Sequence, residues 1–151
     1  MRITIIAVGR WKRDPTRELF DAYRQRCRWD ITVTEVVARR GGDAARQQAE
    51  EGAQILAALP ERAPLIALDA RGRTLTSAQF ADWLGARREA GTREVAVAIG
   101  GADGLTDAVR ERAALTLALG AMTWPHMLVR AMLAEQLYRA QCILDGHPYH
   151  R

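Results

Sequence analysis

Short apolar runs alternate with longer amphipathic stretches along this chain, and the alternation predicts its elements. The first run, 2–8 (RITIIAV), is rich in β-branched residues and stops at Gly9, as a strand does. Asp14 and Pro15 then supply an N-cap and a first-turn proline, and Leu19, Phe20, Tyr23 and Cys27 recur behind them at helical spacing. A second strand is predicted over 31–38 (ITVTEVVA), then punctuation over 39–43 (RRGGD). Asp43 caps a helix to about Leu59, with Ala49, Ala53, Leu56 and Leu59 inward, and Pro60 and Pro64 bracket a loop. Residues 65–68 (LIAL) read as a short buried strand, with 69–72 (DARG) as the loop at its end. Thr76 or Ser77 opens a helix to about Ala90 that carries Phe80, Trp83 and Leu84. A fully apolar strand, 95–99 (VAVAI), ends in the loop 100–104 (GGADG). A short helix over 106–112 and a strand over 115–119 follow. The last helix begins at Pro125, with Val129, Met132, Leu133, Leu137, Ala140 and Ile143 on one face and Arg130, Glu135 and Arg139 off it. The order β-α-β-α-β-α-β-α-β-α predicts an α/β single domain over 1–151, a parallel-type sheet with helices on both faces.

Composition narrows the class. Hydrophobic residues at 48% and charged residues at 26% suit a soluble globular chain of 151 residues. No apolar run reaches the length of a membrane span, and the N-terminus enters a strand without the features of a signal peptide. The expectation is a cytoplasmic protein, complete from Met1, with no membrane partner. The net charge of +4 is carried almost wholly by arginine, with Lys12 the single lysine. Arginine forks suit phosphate, but an arginine- and alanine-rich genome produces the same excess, so charge alone leaves a nucleic-acid partner open. Cys27 and Cys142 have no CxxC partners and read as reduced thiols.

Candidate chemistry gathers late in the chain. In parallel sheets, ligands bind beyond the carboxyl ends of the strands, and three strands here end in small-residue loops: 68–72, 100–104 and 119–124. Together they suggest one pocket for a small molecule with apolar and backbone contacts. The loop IGGADG is not a GxGxxG fingerprint, and no Walker lysine is present. His126, His147 and His150 lack neighbouring cysteines, so no metal is expected. The closing segment HPYHR combines in Tyr149, His150 and Arg151 a stacking ring, a titratable imidazole and a phosphate fork.

Five ordered motifs resemble one family along the whole chain: LDxxG at 68–72, IGGxxG at 99–104, PHxLVR at 125–130, EQLYRA at 135–140 and the terminal HPYHR. The chain resembles the ribosomal RNA large subunit methyltransferase H type, the YbeA-like group of the SPOUT superfamily. The resemblance implies a C-terminal deep trefoil knot and S-adenosylmethionine held by Leu68, Gly100, Leu119, Gly120, Ala121, Met122, Thr123 and Trp124. It also implies a homodimer whose pocket is completed by the partner, and methylation of N3, the imide nitrogen, of a pseudouridine in 23S large-subunit rRNA on assembled ribosomes. Because that nitrogen must lose a proton to attack, His150 is the candidate base. Arg130 and Arg151 are candidate anion stabilisers or phosphate ligands, and Tyr149 would stack on the base. Glu135 and Arg139 read as a structural i,i+4 pair. Gly146 and Met127 stand where relatives often carry asparagine and proline, and many relatives extend one acidic residue past the position of Arg151. Two other readings are a passive RNA-binding protein and a methyltransferase of another RNA such as tRNA.

Overall fold

The computed structural model describes residues 1–38 and 43–150. In chain order its elements are β1 (Arg2–Val8), α1 (Pro15–Arg26), β2 (Asp30–Val36), α2 (Ala44–Ala57) and β3 (Leu65–Thr74). There follow α3 (Ser77–Glu89), β4 (Glu94–Ile99), α4 (Asp107–Arg112), β5 (Leu115–Ala118), α5 (His126–Leu144) and a 3-10 turn, Pro148–His150. All strand pairings are parallel, in the order β2-β1-β4-β3-β5. The expected alternation and parallel sheet are therefore present.

Period-2 patterning divides the core. Ile3 and Ile5 of β1 and Val95 and Val97 of β4 face Phe20 of α1, Phe80 and Leu84 of α3, and Leu133 and Leu137 of α5. Ile6 and Val8 of β1, with Ala96 and Ala98 of β4, face Ile55 of α2 and Val109 of α4. Strands covered on both sides become continuous apolar runs, which is why VAVAI shows no polar alternation. The helix starts follow their caps. The Asp14 carboxylate accepts from the Thr16 and Arg17 amides, Asp43 accepts from the Arg46 amide, and Thr76 and Gln79 form a reciprocal capping box.

Several boundaries differ from expectation. The second strand is Asp30–Val36, and the punctuation at 39–42 lies outside the described residues. On α2 the buried residues are Glu51, Gly52 and Ile55, whereas Ala49 and Ala53 are exposed. Alanine fits either surface, and the larger Ile55 decides which face turns inward. The segment 69–72 is an irregular continuation of β3 rather than a loop beyond it. Leu68 and Arg73 both pair with Leu117, so the residues between them bulge out and return to one register. Gly72 makes that return possible: a Cβ there would lie 2.6 Å from the Thr116 carbonyl carbon. At the sheet edge β5 ends at Ala118, one residue early, which frees Leu119 for the following loop.

The long helix α5 packs chiefly on α1 and α3. At the α1–α5 junction Cys27 and Cys142 are both buried and free. The Cys27 thiol donates to Gln141 Oε1 at 3.3 Å, and the same oxygen accepts from the Arg28 amide at 2.6 Å. Among the described residues no helix is long and apolar enough to cross a membrane.

Candidate active site

The bulged segment of β3 and the turns beyond β4 and β5 surround one cavity of about 430 Å³. Its lining includes Leu68, Gly100, Leu119, Gly120, Met122, Thr123 and Trp124; Ala121 belongs to the same loop but does not line the cavity. Its volume is that of a small-molecule site. Asp69, Arg71 and Gly101, within the loops expected to form the pocket, also line it, whereas His126 lies outside those loops and was not anticipated there. For His126 a signal existed, since a residue just after the Pro125 helix start lies at the carboxyl edge of the sheet.

Backbone packs tightly within the β4 turn. Gly101 and Gly104 pair across it, with the Gly104 amide donating to the Gly101 carbonyl at 3.1 Å. A Cβ on Gly100 would lie 2.8 Å from the Gly104 carbonyl carbon, so a side chain there would force the turn open. The rim is apolar and accessible: Met122 is 72% exposed and Trp124 38% exposed. The Trp124 indole N–H donates to the Leu119 carbonyl at 3.3 Å and braces the β5 loop.

Three ionisable groups, Asp69, Arg71 and His126, border the cavity. Burial pushes the Asp69 carboxyl up, but hydrogen bonds from the Arg71 side chain and amide and the charges of Arg71 and Arg110 outweigh it, leaving Asp69 below its ordinary value. His126 is held below the ordinary histidine value by burial and then by the Arg130 charge, with Glu51 opposing.

The arginine expected to hold phosphate is placed otherwise. Arg130 is 0% exposed. Its Nη2 donates to the Val8 and Gly9 carbonyls, each at 2.8 Å, and its Nη1 to Glu35 Oε1 at 3.1 Å. Its guanidinium carbon lies 4.8 Å from the centre of the Trp11 ring. Burial depresses its pKa while Glu35 supports the charge, and a guanidinium stays protonated under such opposition. Only Nε lacks a partner. Within this chain Arg130 is a strut between α5 and the β1 and β2 ends, not an exposed anion ligand; two backbone carbonyls drew it inward.

The tail lies apart from the cavity. The Tyr149 ring meets Tyr138 edge-on at 4.7 Å between centroids, and its hydroxyl donates to Glu135 Oε1 at 3.2 Å. Arg26 and Arg139 approach the same ring at 5.2 and 4.8 Å. Arg139 Nε also donates to Glu135 at 2.9 Å, so the expected helix pair is formed. Burial, with Tyr23 and Glu135, pushes the Tyr149 hydroxyl far up. In this chain Tyr149 is engaged by its own neighbours rather than offered as a free stacking face. His150 is exposed, and Arg151 lies outside the described residues. Among the described residues, no tail residue lines the glycine-loop cavity. A second cavity of about 450 Å³, under α1, α3 and α5, shares Leu117, Leu119 and Gly120 with the first and includes Tyr23 and Glu135. Among the described residues no group of three His, Cys, Asp or Glu side chains is placed to hold a metal.

Along residues 1–150 the chain matches the family model described as "Predicted SPOUT methyltransferase". The chain belongs to the SPOUT methyltransferase family. It is 53% identical over 151 residues to the Ribosomal RNA large subunit methyltransferase H of Rhodospirillum centenum, covering 100% of this chain and 99% of that protein. The namesake from Paramagnetospirillum magneticum is 51% identical over 151 residues with the same coverage. That from Xanthobacter autotrophicus is 51% identical over 162 residues, again covering 100% and 99%. The glycine-lined cavity is a concave site at the carboxyl ends of the strands, where parallel sheets bind their ligands.

Proposed function

We propose that this chain is an S-adenosylmethionine-dependent methyltransferase acting on N3 of a pseudouridine in large-subunit rRNA, as a cytoplasmic homodimer on assembled ribosomes. The observation that carries the reading is the meeting of the three small-residue turns around one cavity whose β4 turn has no room for a Cβ at Gly100. The names of the relatives supply the substrate class. S-adenosylmethionine, when bound, supplies a methyl group activated by its sulfonium. The chain's own part is to hold that donor with backbone and apolar contacts from Leu68, Gly100 and 119–124, and to exclude water. His150 would take the N3 proton and so free that nitrogen's lone pair for methylation. Arg151 steadies the resulting anion or a neighbouring phosphate.

The described tail residues, 147–150, do not reach the cavity within one chain, and this favours closure of each cavity by a second copy's tail. We propose a deep trefoil knot for the fold as well, on the strength of the family match over residues 1–150.

The test uses labelled methyl donor and ribosomes lacking the modification, with mass mapping of the product. Gly100→Ala should lose donor binding by calorimetry, and His150→Ala should keep it while losing transfer. Mixed after co-refolding, the two inactive variants should recover roughly a quarter of wild-type activity, because half the dimers are mixed and each has one intact composite site. An inactive mixture of well-folded dimers would remove the shared-site reading. Tight ribosome binding with no donor affinity would point instead to a passive RNA binder.

A further inference from the structure

The loop 10–13 carries Arg10, Lys12 and Arg13 within four residues, and all three are exposed. Among the described residues, none of the three side chains makes an ion pair, a hydrogen bond or a ring contact. Other arginines are committed to carboxylates: Arg2 to Asp30, Arg28 to Asp145 and Arg71 to Asp69. The acids beside the loop are engaged too. Glu35 accepts from Arg130 and, at 2.6 Å, from the Trp11 amide, while Asp14 caps α1.

The loop is also held in shape. Arg130 grips the Val8 and Gly9 carbonyls before it. Inside it, the Trp11 ring packs edge-on against Phe20 at 4.9 Å, and its indole N–H donates to Thr16 Oγ1 at 3.2 Å. Trp11 thus points inward and leaves its basic neighbours outward. The loop begins at the donor cavity's edge: the Cβ direction of Gly9 ends 3.5 Å from Nε2 of His126, which lines that cavity.

We propose that this β1–α1 loop is the grip of the enzyme on the phosphate backbone of its rRNA, beside the nucleotide presented to the cavity. The inference rests on the rRNA methyltransferase reading and adds a binding surface to it. Three unpaired cations on an anchored loop suit a polyanion, because little order is lost on binding and no carboxylate must be displaced. Binding at the cavity edge would also bring the target nucleotide and the donor together.

The test is direct binding of wild-type protein and an R10A/K12A/R13A variant to undermethylated ribosomes by sedimentation, between 50 and 200 mM salt, alongside donor calorimetry and methyl-transfer kinetics. A second variant, R62A/R88A/R93A, carries the same net charge but loses three exposed cations from elsewhere on the surface. The loop variant should bind at least about tenfold more weakly at low salt. Its log–log salt slope should be shallower by about 2–3, at roughly 0.7–0.9 for each phosphate no longer neutralised. Its KM for ribosomes should rise while kcat and donor affinity stay near wild type, and R10K/R13K should keep most of the binding. Equal losses in the two triple variants, or an unchanged slope in the loop variant, would overturn the proposal. Wild-type protein that binds ribosomes in this salt-sensitive manner but transfers no methyl group would overturn the enzymatic reading and leave the loop assignment standing. Wild-type protein with no ribosome affinity would remove both.

Discussion

His126 occupies the cavity wall with its imidazole partly withdrawn from water and Arg130 one turn along the helix. Burial and that positive charge favour the neutral ring in the folded chain, whereas the unfolded chain takes up a proton at the ordinary histidine value near 6.5. The sign follows: the folded state binds fewer protons, so this contribution to stability is present above that value and is lost as pH falls through it toward the lowered folded value. His126→Asn should therefore show a smaller drop in Tm between pH 7.5 and 5.5 than the parent, measured by scanning fluorimetry. At this scale the glycine-loop residues were legible, since small residues at strand ends mark a backbone-lined cavity. Arg130 was not. Helical spacing places its guanidinium among the polar positions, and the Val8 carbonyl that draws it inward lies 122 residues away in the chain.

Between elements, Arg130 ties the second turn of α5 to the ends of β1 and β2, the join on which the basic loop and the cavity wall both depend. Arg130→Met keeps much of the volume but leaves two carbonyls and the Glu35 carboxylate without that donor. We expect a loss of about 2–4 kcal/mol in urea unfolding, from unpaired buried acceptors rather than poorer packing. Arg130→Lys should recover only part of it, because one ammonium cannot span both carbonyls and Glu35. A loss below about 0.5 kcal/mol for Arg130→Met would show the strut to be dispensable. Most elements could be read from the chain because caps and apolar runs are local signals. The register break in β3 could not: its cause is the approach of Thr116 to Gly72, which happens only once β5 has docked.

The strand sequence foretold a parallel sheet with helices on both faces, but its order, β2-β1-β4-β3-β5, depends on which crossovers span which neighbours. That order brings β3, β4 and β5 together around the cavity and sets Gly9, where the β1–α1 loop begins, beside His126 of the cavity wall. The junction of α1 with α5 holds the chain's two thiols, Cys27 and Cys142, both enclosed, and burial pushes the Cys27 thiol up and keeps it protonated. Such sulfurs react with a maleimide only when their surroundings part. In native buffer, alkylation followed by mass spectrometry should run orders of magnitude slower than for a free cysteine and quicken with urea. Modification at the free-cysteine rate would mean that the junction is loose. The chain thus carries its own stopwatch, and the rate at which label arrives counts how often two helices breathe.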